Sequence, residues 1–303
     1  MDFQLTEDQR ALRGGVRELL EGRFDVRAAL DAGSSLDRGL WKELGDAGFF
    51  SLMLPEAEGG VGLGLPEAVL AFEEAGRVLL PGPLVGTFLA AGALQGAASG
   101  EAVVTCPFGA LVPWLDEADA VLGGGMEGAV PFRSLDPLTP LHRLPGGGGL
   151  AHLSRPAGRL PKTGAGPVDG DLADLLVAAE QLGSAGKTLE MAVQYARERT
   201  QFGQAIGGFQ AVKHLCAQML VRVEVARGAV YAAAVTGDVL EIAGAKLLAD
   251  EAAVHNARDC LQVHGGMGFT WEADVHLHLK RAWVRAGLGR SAAQAEEELA
   301  AAL

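Results

Sequence analysis

Apolar residues return every three or four positions over most of this chain, and the exception is a stretch near its middle. Leu12, Val16, Leu19 and Leu20 form one such stripe behind Thr6, whose hydroxyl suits the N-cap of a helix starting at Glu7. A second helix is predicted over residues 37–48, with Leu40, Trp41 and Leu44 on one face. The loop after it carries Leu54-Pro55-Glu56 and Gly59-Gly60-Val61-Gly62. Pro66 opens a third helix, where its missing N–H costs nothing, and the pattern runs to about Leu80. Pro81-Gly82-Pro83 stops it, and a fourth apolar helix follows over residues 84–97.

From residue 101 to residue 167 the period changes. Short apolar runs at 102–106, 120–122 and 129–132 alternate with Pro and Gly clusters, which predicts a small β unit of a few short strands. The run Gly146-Gly147-Gly148-Gly149 reads as a loop or a turn. Helical spacing then returns, predicting helices over 171–200, 209–236 and 238–263 and a fourth from near Glu272. Long helices with short connections point to an antiparallel bundle. The expected fold is mainly α with a small β region: an N-terminal helical domain over 1–100, a shortened β domain over 101–167 and a C-terminal four-helix bundle over 168–303.

Composition narrows the partners. With 49% hydrophobic and 21% charged residues the chain can bury a large core, and 25 Lys plus Arg against 38 Asp plus Glu leave a formal charge of -13. That acidity argues against nucleic acid, whose phosphates need clustered cations, but not against a small anionic ligand that needs a few local ones. Cys106, Cys216 and Cys260 show no CxxC spacing, so neither a metal cluster nor a disulfide framework is indicated. His264, His276 and His278 lack a companion carboxylate–cysteine set and read as satisfied or solvated side chains rather than metal ligands. The polar, acidic start and the lack of a span-length apolar run make a cytoplasmic location the expectation.

Candidate chemistry lies in two later segments. The first is Tyr195-Ala196-Arg197-Glu198-Arg199-Thr200-Gln201-Phe202-Gly203-Gln204-Ala205-Ile206, continuing through Gly208-Phe209-Gln210 to His214. The second is Gln262-Val263-His264-Gly265-Gly266-Met267-Gly268-Phe269-Thr270-Trp271-Glu272, continuing to Arg281. Arg199 and Phe202 sit where a helix gives way to a turn. A guanidinium there can pair with an anionic group, and an aromatic ring can pack on a planar one. Gly265, Gly266 and Gly268 have no Cβ to hold a ligand off the backbone, and they would serve equally as a helix cap and tight turn. Taken alone, Arg199 reads also as a surface cation, and Phe202, Phe209 and Trp271 as core plugs.

In order and separation these segments, with the Leu54–Gly62 loop, resemble the acyl-CoA dehydrogenase family of flavoproteins. The resemblance covers the N-terminal helices and the C-terminal bundle, and the middle matches poorly. It implies FAD-linked removal of two hydrogens from an acyl-CoA thioester, a glutamate taking the proton while the flavin takes hydride. It also implies that Arg199, Phe202, Ile206, Gln210, Gln262, Gly265, Gly266 and Gly268 contact FAD held by a neighbouring subunit. The family's base falls at Gly289 in one branch and at Ala173 in another, and neither side chain takes a proton. Asp171, Asp174 and Glu180 are the weak substitutes; Glu180 reads equally as a polar-network residue. The threonine- and tryptophan-bearing strands that hold the flavin ring in the family are missing. The run from Thr270 to Leu277 resembles the branch, active in steroid side-chain breakdown, where a full-length subunit pairs with a degenerate one. The resemblance therefore implies a shortened, base-lacking subunit completing the FAD site of a full-length acyl-CoA dehydrogenase partner in a heterodimer or heterotetramer. Two readings stay open beside it: a self-sufficient homodimer with a relocated base, and a flavin-free scaffold.

Overall fold

A computed structural model describes residues 4–33, 35–145, 162–163 and 168–303, and the Gly146 to Gly149 run lies outside the described residues. The N-terminal helices are α1 (Glu7–Arg23), α2 (Val26–Asp31), α3 (Arg38–Asp46), α4 (Leu65–Arg77) and α5 (Leu84–Ala90). Thr6 accepts the N–H of Gln9 while the Gln9 side chain accepts the N–H of Thr6, so both orphan donors are met. Asp25 and Asp37 cap α2 and α3 more simply, each carboxylate accepting two backbone N–H groups of the first turn. Three expectations need correction here. The six-residue α2 is too short to show a period and was not foreseen; α4 stops at Arg77 rather than near Leu80; and α5 stops at Ala90, because residues 91–100 continue as turns. The core of this region is aromatic: Trp41, Phe49, Phe50, Phe72 and Phe88 form a chain of ring contacts with centroids 4.9–5.4 Å apart.

The middle region holds two small sheets. Strands β1 (Val104–Thr105), β3 (Ala120–Val121) and β6 (Lys162–Thr163) run parallel in the order β1-β3-β6. Strands β2 (Leu111–Pro113), β5 (Leu141–Arg143) and β4 (Val130–Phe132) run antiparallel in the order β2-β5-β4. The three foreseen apolar runs each contain a strand, whereas β2, β5 and β6 give no usable signal at two or three residues each.

The C-terminal region is built on α6 (Gly170–Glu198), α7 (Gln210–Thr236), α8 (Val239–His264) and the shorter α9 (Val275–Ala286). Between α8 and α9 a 3-10 turn spans Gly265–Phe269, so α9 begins three residues later than expected; a further helix, α10 (Ala292–Ala301), was not anticipated. A hairpin of β7 (Thr200–Gln201) and β8 (Gln204–Ala205) joins α6 to α7.

The two helical regions meet backbone to backbone at α4 and α6. A Cβ added to Gly76 would lie 2.0 Å from the Glu180 carbonyl oxygen, and one added to Gly183 would lie 1.9 Å from that of Glu73. Only glycine permits so close a crossing. We expect Gly183→Ala to lower the unfolding free energy by about 3 kcal/mol, because neither backbone can yield. Gly15→Ala is the control: it sits on α1 with open space around it and should raise stability by about 0.8 kcal/mol. Urea unfolding of the two variants checks both, and equal effects would contradict the backbone-contact account.

Candidate functional site

At one end of the bundle the structure brings the two glycine-bearing segments together. The ring of Tyr195, near the end of α6, stacks on His264, the last residue of α8, with centroids 4.1 Å apart and planes at 21°. His264 donates through Nδ1 to the Cys260 carbonyl at 2.8 Å. Burial lowers its proton affinity below the ordinary imidazole value, and that bond only partly offsets the effect. Beneath them Ala192, Ala196, Met219, Ala257, Cys260 and Leu261 form a buried apolar cluster, against which Ile206 packs half-buried. Ile206 therefore faces the protein interior for much of its surface.

The remaining residues of this end face outward. Arg199 caps α6 at its C-terminus and is exposed, and its guanidinium bonds to none of the described residues. Phe202 and Gly203 turn the β7–β8 hairpin with φ of 51° and 78°, the doubly left-handed geometry of a tight two-residue loop. A bulky residue is strained there. The turn holds the Phe202 ring out at 92% exposure, edge-on to Phe209 at 6.0 Å, so Phe202 is not a core plug. Gln210 and Gln262 are both exposed. Of the three glycines, Gly265 is required by its φ of 59° and Gly268 by the nearness of His264 and Leu261, while Gly266 faces open space. An unpaired guanidinium, an outward aromatic ring, two amides and bare backbone suit the phosphates and base of a dinucleotide reaching in from outside.

Trp271 also departs from expectation, at 64% exposure, with the Lys280 ammonium 4.3 Å over its ring. His276 is neither satisfied nor solvated: it is buried against Trp271, and neither ring nitrogen has a hydrogen-bond partner. His278 is satisfied, its Nδ1 lying 2.8 Å from the Ser184 hydroxyl. Among the described residues no His, Cys, Asp and Glu grouping could hold a metal ion.

The two positions where a base was sought converge, although they lie far apart in sequence. Ala173 and Gly289 line one cavity of about 340 Å³ together with Asp171, Asp174 and Arg290. Each substitute carboxylate is engaged. Asp171 pairs with Arg290 Nη2 at 2.7 Å, and Asp174 Oδ1 accepts the Arg290 N–H at 3.1 Å. Burial raises the proton affinity of Asp174 despite that bond and the nearby cations. Glu180 accepts from Arg285 Nη2 at 2.5 Å, and burial outweighs the arginines to raise its proton affinity as well. The polar-network reading of Glu180 is the one the geometry favours.

Deeper in, a second cavity of about 40 Å³ borders Val177, Glu180, Arg281, Arg285 and Leu288. That volume holds little more than water. Its walls belong to a buried ionic network that the sequence reading did not find. Arg281 pairs with Asp136, Lys246 with Asp250, and Gln181 donates to Asp250 at 2.8 Å and to the Ala282 carbonyl at 3.0 Å. Its signal in the sequence is polar residues at helical spacing on inner faces: Glu180, Ser184 and Thr188 on α6; His278, Arg281 and Arg285 on α9.

Known proteins place these features in context. The model described as acyl-CoA dehydrogenase, N-terminal domain, matches residues 6–102, and that described as acyl-CoA dehydrogenase, C-terminal domain, matches residues 173–296. The acyl-CoA dehydrogenase IpdE2 of Mycobacterium tuberculosis is 36% identical over 91% of both chains. FadE34 of the same organism, also an acyl-CoA dehydrogenase, is 35% identical over 92% of this chain and 45% of its own length. Among solved structures, the ChsE4-ChsE5 complex from Mycobacterium tuberculosis matches with a TM-score of 0.82 at 26% identity, covering 99% of this chain and 98% of the other.

The buried His278 makes a pH dependence predictable. Burial, with Lys187, Arg281, Arg285 and Arg77 adding, pushes its proton affinity down from 6.5 to about 3. An unfolded chain binds a proton there near its ordinary value while the folded chain does not, so His278 favours folding at neutral pH and that advantage fades as pH falls from 6.5 toward 3. Relative to His278→Asn, the native chain should lose about 2 kcal/mol between pH 7 and pH 5. Denaturant titrations at the two pH values test this, and parallel curves would refute it.

Proposed function

This chain belongs to the acyl-CoA dehydrogenase family, and on that footing we propose that it is the base-lacking subunit of a two-chain dehydrogenase. A full-length partner of the same family supplies the catalytic carboxylate, the acyl-CoA site and most of the FAD site, and this chain closes the far end of the cofactor. The observation that carries the reading is an asymmetry between the two ends of the bundle. The outward half of a dinucleotide site is intact and unpaired at Arg199, Phe202, Gln210 and Gln262. The inward half has Gly289 and Ala173 at the base positions, and the adjoining cavity of about 40 Å³ is walled by the Glu180–Arg285 ion pair. No acyl chain fits such a space.

When bound, FAD supplies the hydride acceptor, while the residues of this chain bind and orient it. Arg199 neutralises a phosphate through a forked pair of N–H donors. Phe202 offers its face to the adenine, Gln210 and Gln262 offer amides, and the open side of Gly266 lets backbone approach. An apolar strip on α7, with Leu220, Val221 and Val225 about half exposed or more, supports coverage by another chain. The ChsE4-ChsE5 complex is a precedent for a chain of this fold taking part in a complex of two different chains. The acyl group is assigned only as a CoA thioester, with a steroid-derived acid favoured by the resemblance of the run from Thr270 to Leu277 to the steroid side-chain branch of the family.

Two measurements test the proposal. Purified alone, the chain should carry little flavin, and copurified with a full-length partner the pair should carry one FAD and turn over acyl-CoA. Stoichiometric flavin and turnover on the lone chain would favour a homodimer with Asp174 as a relocated base, and no flavin in either preparation would favour a scaffold. Within the pair, Arg199→Ala should weaken FAD retention roughly 10- to 100-fold, the loss of a charge-assisted phosphate contact. Unchanged retention would remove Arg199 from the site.

A further inference from the structure

Gly289 has a reason to be glycine that the loss of a base alone does not supply. Its φ is 75°, and a Cβ built on it would lie 2.0 Å from Oδ1 of Asp174, far inside contact distance. A flexible side chain could swing away from such an intruder, but Asp174 is held. It is 4% exposed, and Oδ1 accepts the Arg290 N–H at 3.1 Å while Oδ2 lies 3.6 Å from Arg290 Nη1. Moving the carboxylate would strand a part-buried N–H and separate the charges. The same arginine reaches on to Asp171 Oδ1 at 2.7 Å and to Glu298 Oε2 on α10 at 3.1 Å. The turn after α9 thus ties the start of α6 to α10.

We infer that Asp174 and Gly289 form one paired replacement, in which the Asp174 carboxylate fills the space where a side chain at residue 289 would begin. The former base position has become a clasp between α6 and α10. A base cannot be restored there by changing residue 289 alone; Asp174 must be shortened as well. This deepens the proposed function, since it takes 289 as the base position.

The test is a double-mutant cycle read by urea unfolding of the full chain in its purified assembly, without reference to turnover. Gly289→Ala is made in the native, Asp174→Asn and Asp174→Ala backgrounds. Asparagine keeps the volume and the acceptor for the Arg290 N–H, whereas alanine empties the space. Gly289→Ala should lower the midpoint in the native and Asp174→Asn backgrounds by roughly twofold or more over its effect beside Asp174→Ala. Folding of the double variant where Gly289→Ala alone fails would support the pairing equally. If the positive φ alone demands glycine, the drop is the same in every background, and the inference is overturned. It is overturned also if Gly289→Ala fails to fold beside Asp174→Ala. Because the readout compares backgrounds within one assembly and uses neither flavin content nor turnover, failure here leaves the base-lacking reading standing, and flavin on the lone chain would leave the steric pairing standing.

Discussion

The guanidinium of Arg281 is where the three regions of this chain are joined. It projects from α9, pairs through Nε with Asp136 of the middle region, and donates through Nη1 to the carbonyls of Leu79 and Leu80 at 3.2 Å each. Leu79 adopts φ of 57°, a left-handed conformation a leucine does not choose freely, and it does so while its carbonyl accepts from Arg281. Burial alone would push the Asp136 carboxyl upward, but the Arg281 charge, the Thr139 hydroxyl and the Leu138 N–H hold it below the usual carboxylate range. Such a pair adds little net stability against an apolar alternative, yet losing one partner leaves a buried charge at a cost of about 3–5 kcal/mol. Its value is specificity: only one docking of the middle region, the α4–α5 connection and the bundle satisfies all three bonds.

The α4–α6 crossing works to the same end by different physics. Contact through Gly76 and Gly183 brings the helix axes close enough for Glu180 to sit between α4 and α9. The space between these elements is then taken by backbone on one side and by ion pairs on the other. The exposed end of the bundle escapes this compression because Tyr195 and His264 stack across it and hold the hairpin and the glycine turn at the surface. One fold therefore carries a closed, ion-paired interior and an open, exposed end.

Much of this was legible in the sequence, unevenly. Long helices announced themselves by period, and Thr6 and Pro66 marked two starts correctly. The six-residue α2 and the two-residue strands were too short for any period to accumulate, and α10, rich in Ala and Glu with only Ala295 buried, has no apolar stripe to read. The habit of aromatic residues predicts Trp271 in the core, whereas the exposed tryptophan beneath Lys280 obeys cation–π attraction instead. The ionic network was visible as polar residues on inner helix faces, but which cation meets which carboxylate depends on distant elements. Asp174 and Gly289 show this most clearly: each was singled out, and only the fold sets one against the other.

That pairing bears on how a buried carboxylate is put to structural use. A glycine by itself leaves an unfilled turn and adds no stability. Beside Gly289 stands a carboxylate whose partners are Arg290's backbone and side chain, and through Arg290 it reaches Asp171 and Glu298. A buried carboxylate with raised proton affinity would ordinarily be suspected of chemistry. At Asp174 the geometry gives the opposite assignment, because its oxygens are turned to a neighbouring N–H and guanidinium. Perturbed proton affinity marks a place where charge has been forced from water, and the hydrogen bonds around it decide whether that charge acts or only holds.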